Sequence, residues 1–213
     1  MTDVMPVAEC GRILQVIDDR ARTSPGSRAL LDIAPIRELA RSILAHPKAS
    51  ALLPANAVAV QCTLFAKNEG VNWSVAPHQD LSIPVAARFD ASVCTGWSKK
   101  EGTWFVQPSS DVLGALVALR IQLDTPSPDA GPLRVVPGSH RSGRVVAADI
   151  PSKFPPSSFR QCLAPQGGAI AMKPLLVHSS AKAIGKLPRR VLHFLFGPAL
   201  LPGGLEWSEK VCA

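Results

Sequence analysis

The sequence predicts a mainly β protein, a sandwich or barrel of short strands preceded by flanking N-terminal α-helices. Three observations carry this. Proline is abundant, with 20 residues beside 15 glycines in a chain of 213, which favours many short strands and turns over long helices. Beyond residue 56, apolar and β-branched runs of strand length recur between Pro/Gly turns. Before residue 56, apolar residues recur at helical spacing instead.

Taken in order, VAECGRILQVIDDRAR (7–22) places Val7, Ile13, Leu14 and Ile17 on one helical face, and SPGS (24–27) breaks the run. A second helix is expected over 35–46, opened by Pro35, with Ile36, Leu39, Ile43 and Leu44 on one face and His46-Pro47 as its stop. Strands are then expected in AVAVQCTLFAK (57–67), HQDLSIPV (78–85), ALVALRIQLD (115–124), LRVVPG (133–138), GGAIAMKPLLVHSS (167–180) and RRVLHFLFG (189–197). The segment 86–112 is the least regular and reads as a long binding loop or lid whose Trp97, Trp104 and Phe105 wall a pocket or cover a sheet end.

Composition bounds the function. Hydrophobic residues make up 46% and charged residues 18%, a globular balance. A chain of this length buries about 70% of its unfolded surface, so it needs neither metal nor disulfide to hold its fold. A single domain over 1–213 is expected, with 1–56 as a helical part and 57–208 as a β-barrel core. The five cysteines (Cys10, Cys62, Cys94, Cys162, Cys212) form no CxxC, which fits reduced thiols and a cytoplasmic setting. No apolar run approaches the roughly 18 residues of a membrane span, and the N-terminus has no basic stretch leading into an apolar core, so neither membrane nor signal peptide is expected. The net charge of +7 is spread along the chain, with only short pairs such as Lys99-Lys100 and Arg189-Arg190. This favours small anionic ligands over nucleic acid.

The chemistry concentrates in HQD. In a strand, residues two apart share a face, so His78 and Asp80 point together while Gln79 points away. His178, at the end of the apolar run MKPLLV, is the best third ligand. Two imidazoles and a carboxylate on one side of a metal, with other positions open, form the facial triad of non-haem iron(II) oxygenases. A His/Asp/His set also suits zinc, with hydrolysis as the rival chemistry. A non-catalytic binding barrel is the other alternative. Eleven residues beyond His178 stands Arg189, which a hairpin would return beside it to clamp a carboxylate with two parallel hydrogen bonds. Ser180 follows two residues after His178 on the same face. His140 in PGSHR is a weaker ligand at a turn, His193 shares parity with Arg189 and either lines the barrel or, as the simpler reading, is packed core, and His46 reads as a cap. Arg120, Gln122 and Asp124 share one strand face that is either half-exposed or lines a site mouth. Lys67, Trp73, Trp104 and Gln107 are further pocket candidates.

The combination of HQD, GPLRVVPGSHRSGR and an H-S-S with PRR at the eleventh position resembles the phytanoyl-CoA dioxygenase family, and the ending LPGGLEW resembles its bacterial members. The resemblance covers roughly residues 57–208. It implies a double-stranded β-helix (jelly-roll, cupin-like barrel) and an enzyme that uses Fe(II), 2-oxoglutarate and O2 to oxidise a small molecule. It implies His78, Asp80 and His178 as iron ligands, Arg189 as the 2-oxoglutarate arginine and Ser180 as its assistant. Arg190 is the adjacent rival, facing the opposite way unless a bulge intervenes. Related halogenases lack the carboxylate that Asp80 supplies, so hydroxylation is expected ahead of halogenation, with desaturation and ring closure still open.

Overall fold

A computed structural model describes residues 3–23, 26–89 and 94–213. The turn expected at 24–27 therefore lies partly outside the described residues, as does 90–93 of the expected loop. The chain opens with helices α1 (Val7–Thr23), α2 (Ala34–Ala45) and α3 (Pro47–Ser50). α1 buries Cys10, Ile13 and Ile17, whereas Val7 in its first turn is 59% exposed and falls off the expected face. α2 begins with Pro35 in its first turn and buries Ile36, Leu39, Ala40, Ile43 and Leu44. His46 ends it through its backbone N–H on the Ile43 carbonyl, with no side-chain cap.

Among the described residues the strands are, in chain order, β1 (Gly26–Ser27), β2 (Ala57–Lys67), β3 (Val75–His78), β4 (Ile83–Val85), β5 (Thr95–Lys100), β6 (Thr103–Gln107), β7 (Val117–Gln122), β8 (Leu133–Val135), β9 (Arg160–Cys162), β10 (Ala169–Met172), β11 (His178–Ser180) and β12 (Arg189–Pro198). They form a five-stranded sheet β1-β2-β12-β7-β10, a four-stranded sheet β3-β11-β8-β9 and a three-stranded sheet β4-β6-β5. Every strand pairing is antiparallel. The architecture is a double-stranded β-helix with helices laid on its larger sheet.

Strand alternation divides that larger sheet into two unlike faces. The outer face presents Cys62, Leu64, Leu119, Ile121, Leu192, Phe194 and Phe196 to the apolar sides of α1 and α2, all in one buried cluster. Each large side chain there contributes about 1.5–3 kcal/mol by leaving water. The inner face carries Thr63 and Lys67 from β2, Arg120 and Gln122 from β7, and Arg189 and His193 from β12. The register steps from Leu195 opposite Gln61 to Phe196 opposite Ala59, so Val60 is an extra, bulged residue. The bulge lets both Val60 and Gln61 line the hollows inside.

Of the two readings left open for β7, the half-exposed one does not hold, because helices cover its outer face while the barrel encloses Arg120. Two expectations need correction. The run 78–85 is not one strand, since β3 ends at His78 and β4 resumes at Ile83. The expected loop 86–112 instead holds the β5–β6 hairpin and helix α4 (Ser110–Ala115). Glu101 and Gly102, with φ of 48° and 84°, make the hairpin turn, a left-handed pair of the kind that suits strand twist. Ser109 caps α4 by accepting from the Val112 N–H.

Candidate metal and anion site

β3 and β11 place their histidines as direct cross-strand partners, His178 opposite His78. The rings lie 4.2 Å apart, centroid to centroid. Each Nδ1 bonds the backbone carbonyl two residues earlier, His78 to Ala76 at 2.8 Å and His178 to Leu176 at 2.9 Å. An Nδ1–H donated to a carbonyl leaves the Nε2 lone pair free, the tautomer a metal ligand needs. Both Nε2 atoms face the Asp80 carboxylate, at 3.5 Å from His78 and 3.7 Å from His178. One donor atom from each of the three residues falls within 4.8 Å of the others.

Asp80 reaches this position from outside the strand. Its backbone N–H bonds the Pro174 carbonyl at 2.9 Å. Gln79 points the other way, as alternation requires, and is buried. Its Nε2 donates to the carbonyls of Gly143 (2.8 Å) and Leu175 (2.7 Å), and its Oε1 accepts from the Val145 N–H (2.9 Å). These bonds replace a strand ladder and fix the backbone between the two ligands. Partial burial opposes ionisation of Asp80, but His178, His78 and His193 together hold its carboxyl well below the usual range. Burial lowers His178 despite Asp80, whereas at His78 contact with Asp80 outweighs burial and raises it.

The inner face of the large sheet brings three cations together. Lys67 and Arg189 are cross-strand partners, and both are buried with Arg120. Lys67 Nζ donates to Ser180 Oγ at 3.1 Å and to the Ala181 carbonyl, and it stands 5.3 Å from the Trp73 ring centroid. Burial, then Arg189 and Arg120, lower its ammonium to about 7. Burial lowers Arg120 to about 10, and burial with Arg120 nearby does the same to Arg189. Arg189 Nε is buried with no partner, an arrangement that normally costs free energy. Among the described residues no carboxylate lies within 4 Å of any of the three. Such a cluster suits a bound dianion.

The expected hairpin from His178 to Arg189 is absent, because β11 and β12 belong to different sheets and residues 181–188 cross between them. Arg190 faces the helices. Asp124 takes its backbone N–H at 2.6 Å and its guanidinium at 2.6–3.2 Å, and Asp18 lies 3.7 Å away. Asp124 thus serves Arg190 rather than sharing the inner face with Arg120 and Gln122. Gln122 and Arg189 line one narrow hollow with Arg120. Trp104 and Gln107 do not line the cavity over the triad; Trp104 lies between Arg88 and Lys99, and Gln107 packs on Gly96. His140 sits in a short turn at Ser139–Ser142.

His193 belongs to the site more closely than its sequence context suggested. Its Nδ1 is 3.1 Å from Arg120 Nη1, and its Nε2 faces Asp80 at 3.8 Å. Burial and then Arg120 push it down to about 3, so it is neutral and accepts from the guanidinium. The parity of His193 with Arg189, four residues apart along β12, is the signal that it faces inward, and it outweighs the packed-core reading. His78, Asp80 and His193 open onto a cavity of about 380 Å³ walled by Phe65, Leu81, Phe105 and Leu195. A second hollow of about 240 Å³ shares Arg28, Gln61, Lys100 and Phe105 with it.

Known proteins share this fold. A family profile described as phytanoyl-CoA dioxygenase matches residues 8–191. Among solved structures, a non-heme alpha-ketoglutarate-dependent epimerase, SnoN, from nogalamycin biosynthesis is similar in fold, with a TM-score of 0.63 and 17% identity over 93% of this chain and 77% of that one. HygX from Streptomyces hygroscopicus, solved with nickel and 2-oxoglutarate, gives 0.62 and 14% identity over 94% and 82%. AviO1 from Streptomyces viridochromogenes gives 0.52 and 17% over 95% and 90%. Among curated proteins none matches the sequence. No helix among the described residues is long and apolar enough to cross a membrane.

Proposed function

The chain belongs to the phytanoyl-CoA dioxygenase family, and on that premise we propose that it is a non-haem Fe(II)- and 2-oxoglutarate-dependent dioxygenase that hydroxylates an unactivated C–H bond of a small molecule. Succinate and CO2 are the co-products. The observation that carries this reading is the pairing of two sites: three metal donors around one point, and a buried cation cluster with an unsatisfied guanidinium nitrogen.

His78, Asp80 and His178 would hold Fe(II), through two Nε2 atoms and one carboxylate oxygen. Arg189 would hold the far carboxylate of 2-oxoglutarate, with Lys67 and Ser180 beside it. Bound together, iron and 2-oxoglutarate supply the activation of O2. The chain orients and encloses. The Nδ1–carbonyl bonds fix both imidazoles, Gln79 fixes the backbone between His78 and Asp80, and Arg120 keeps His193 a neutral neighbour of Asp80. The apolar walls exclude water from the reacting carbon. Asp80 fills the position that halogenases leave for chloride, which favours hydroxylation. One structural neighbour is named an epimerase, so the position of the substrate's C–H bond decides the outcome.

An anaerobic Fe(II) titration with and without 2-oxoglutarate tests the reading. A visible metal-to-ligand band that requires both, and weakens in Arg189→Ala, is expected. Tight zinc binding with no such band would replace the oxygenase with a hydrolase, and no metal binding would leave a binding barrel.

A further inference from the structure

Lys100 ends β5 at a point where both hollows share its side chain. Its ammonium stands 5.0 Å from the Phe105 ring centroid. Among the described residues it has no carboxylate within 4 Å and no hydrogen-bond acceptor. Its neighbours differ in this respect. Arg28, on the same wall, is matched by Glu101, which accepts the Arg28 backbone N–H at 2.9 Å and meets its guanidinium at 3.4 Å. Lys99 is exposed to water beside Trp104. Lys100 is half-buried, and burial together with Arg28 lowers its ammonium.

Asp80 is the one acidic side chain lining the larger cavity, and a bound divalent ion would engage it. Lys100 would then face this cavity with no carboxylate free on its wall, those of Asp32, Glu101 and Glu209 lining the second hollow instead. Phe65, Leu81, Ile83, Phe105 and Leu195 make an apolar stretch of the remaining wall, beside polar members that include Gln61, Thr63, Gln79 and Ser82. Gln61 Nε2 donates to Thr63 Oγ1 at 2.8 Å, and Gln79 is engaged by the Gly143 and Leu175 carbonyls and the Val145 N–H. An unmatched ammonium beside apolar walls is the signature of a site for an anionic group on a largely apolar body.

We propose that Lys100 is the anion-binding residue of the substrate cavity, and that the substrate is a small organic acid whose carboxylate or phosphate monoester pairs with it. The inference rests on the reading that the cavity over the triad receives the substrate. Iron and 2-oxoglutarate are not needed to test it. The probes are aromatic and alicyclic carboxylates, each with its neutral carboxamide, and the matching phosphate monoesters. Ligand-observed NMR measures their binding to wild type, Lys100→Met and Lys100→Arg, each loaded with diamagnetic Zn(II) so that Asp80 is engaged, with Arg189→Ala as a control for capture by the cation cluster. Lys100→Met keeps the stem over Phe105 and removes the charge; Lys100→Arg keeps the charge.

The expected result is that anions bind in preference to carboxamides, that Lys100→Met weakens them about tenfold and that Lys100→Arg retains them, whatever is lost in Arg189→Ala being capture by the cation cluster. Stronger binding of carboxylates or of phosphate esters identifies which acid the site takes. Absence of anion binding, equal binding of the carboxamides, or unchanged affinity in Lys100→Met would overturn the proposal. The Fe(II)/2-oxoglutarate band is a separate measurement. Its absence would sink the oxygenase reading while the anion result stood.

Discussion

The outer and inner faces of the five-stranded sheet are built from the same strands and differ in almost every physical respect. Outside, Leu64, Leu119, Leu192, Phe194 and Phe196 pack under the helices without a charge among them. Inside, one residue along on each strand, Lys67, Arg120, Arg189 and His193 crowd together with one nitrogen unsatisfied. The outer face supplies the stability that lets the inner face hold like charges in close company. A fold needs only the first, and the second makes sense as preparation for a ligand.

Substitutions on the two sides should separate these roles. The largest effect is expected at the triad: His78→Ala or Asp80→Ala should abolish conversion of 2-oxoglutarate to succinate while leaving the circular dichroism spectrum unchanged. Normal turnover in either variant would break the metal assignment. Phe194→Ala, on the opposite side, should lose about 3–5 kcal/mol in denaturant unfolding, with the Fe(II)/2-oxoglutarate band intact in whatever fraction remains folded. Arg189→Ala should weaken 2-oxoglutarate about thirtyfold to a hundredfold, the scale of a buried charge-assisted pair, as measured by titration of the band. A smaller effect, about tenfold, is expected for Lys67→Met.

The smallest is a pH effect. Lys67 titrates near 7 in the folded, ligand-free protein against 10.5 when unperturbed. A carboxylate pairs with the ammonium form, so 2-oxoglutarate affinity should fall as pH rises through about 7. The stability of the empty protein should move the other way. The folded state binds fewer protons than the unfolded state between those two values, so Lys67's contribution makes stability rise with pH across that window. Both slopes should flatten in Lys67→Met. Persistence of either would assign it to another group.

The sequence made the outer face readable because its signal is local. Apolar residues alternate along β2 and β12 and recur at helical spacing in α1 and α2, so period alone finds them. The pair His78 and Asp80 was visible for a different reason than expected: they converge although the strand stops between them, since Gln79 and Pro174 hold what a ladder would have held. The spacing from His178 favours Arg189 over Arg190, while parity says only that the two face opposite ways; the hairpin that the spacing assumes does not form. His193 was undervalued because a histidine in an apolar strand is usually core, and nothing nearby in sequence announces Arg120, 73 residues away. The β5–β6 hairpin was missed because its strand TGWSKK is mostly polar. Arg28 meets Lys100 and Glu101 only through tertiary structure, so their cavity had no linear signature.

Gln79 has a consequence for how the protein must live in a mixture of metals. By pinning the backbone between His78 and Asp80, it holds the donors in place before any ion arrives. With only three donors supplied and the rest of the coordination sphere open, such a site has little means of refusing a competitor by shape. Its preference among divalent ions should therefore follow the intrinsic series, rising from manganese through iron and cobalt to nickel and copper. Iron would then be the occupant by supply rather than by selection, and trace copper or nickel would act as a poison that ordinary washing does not remove.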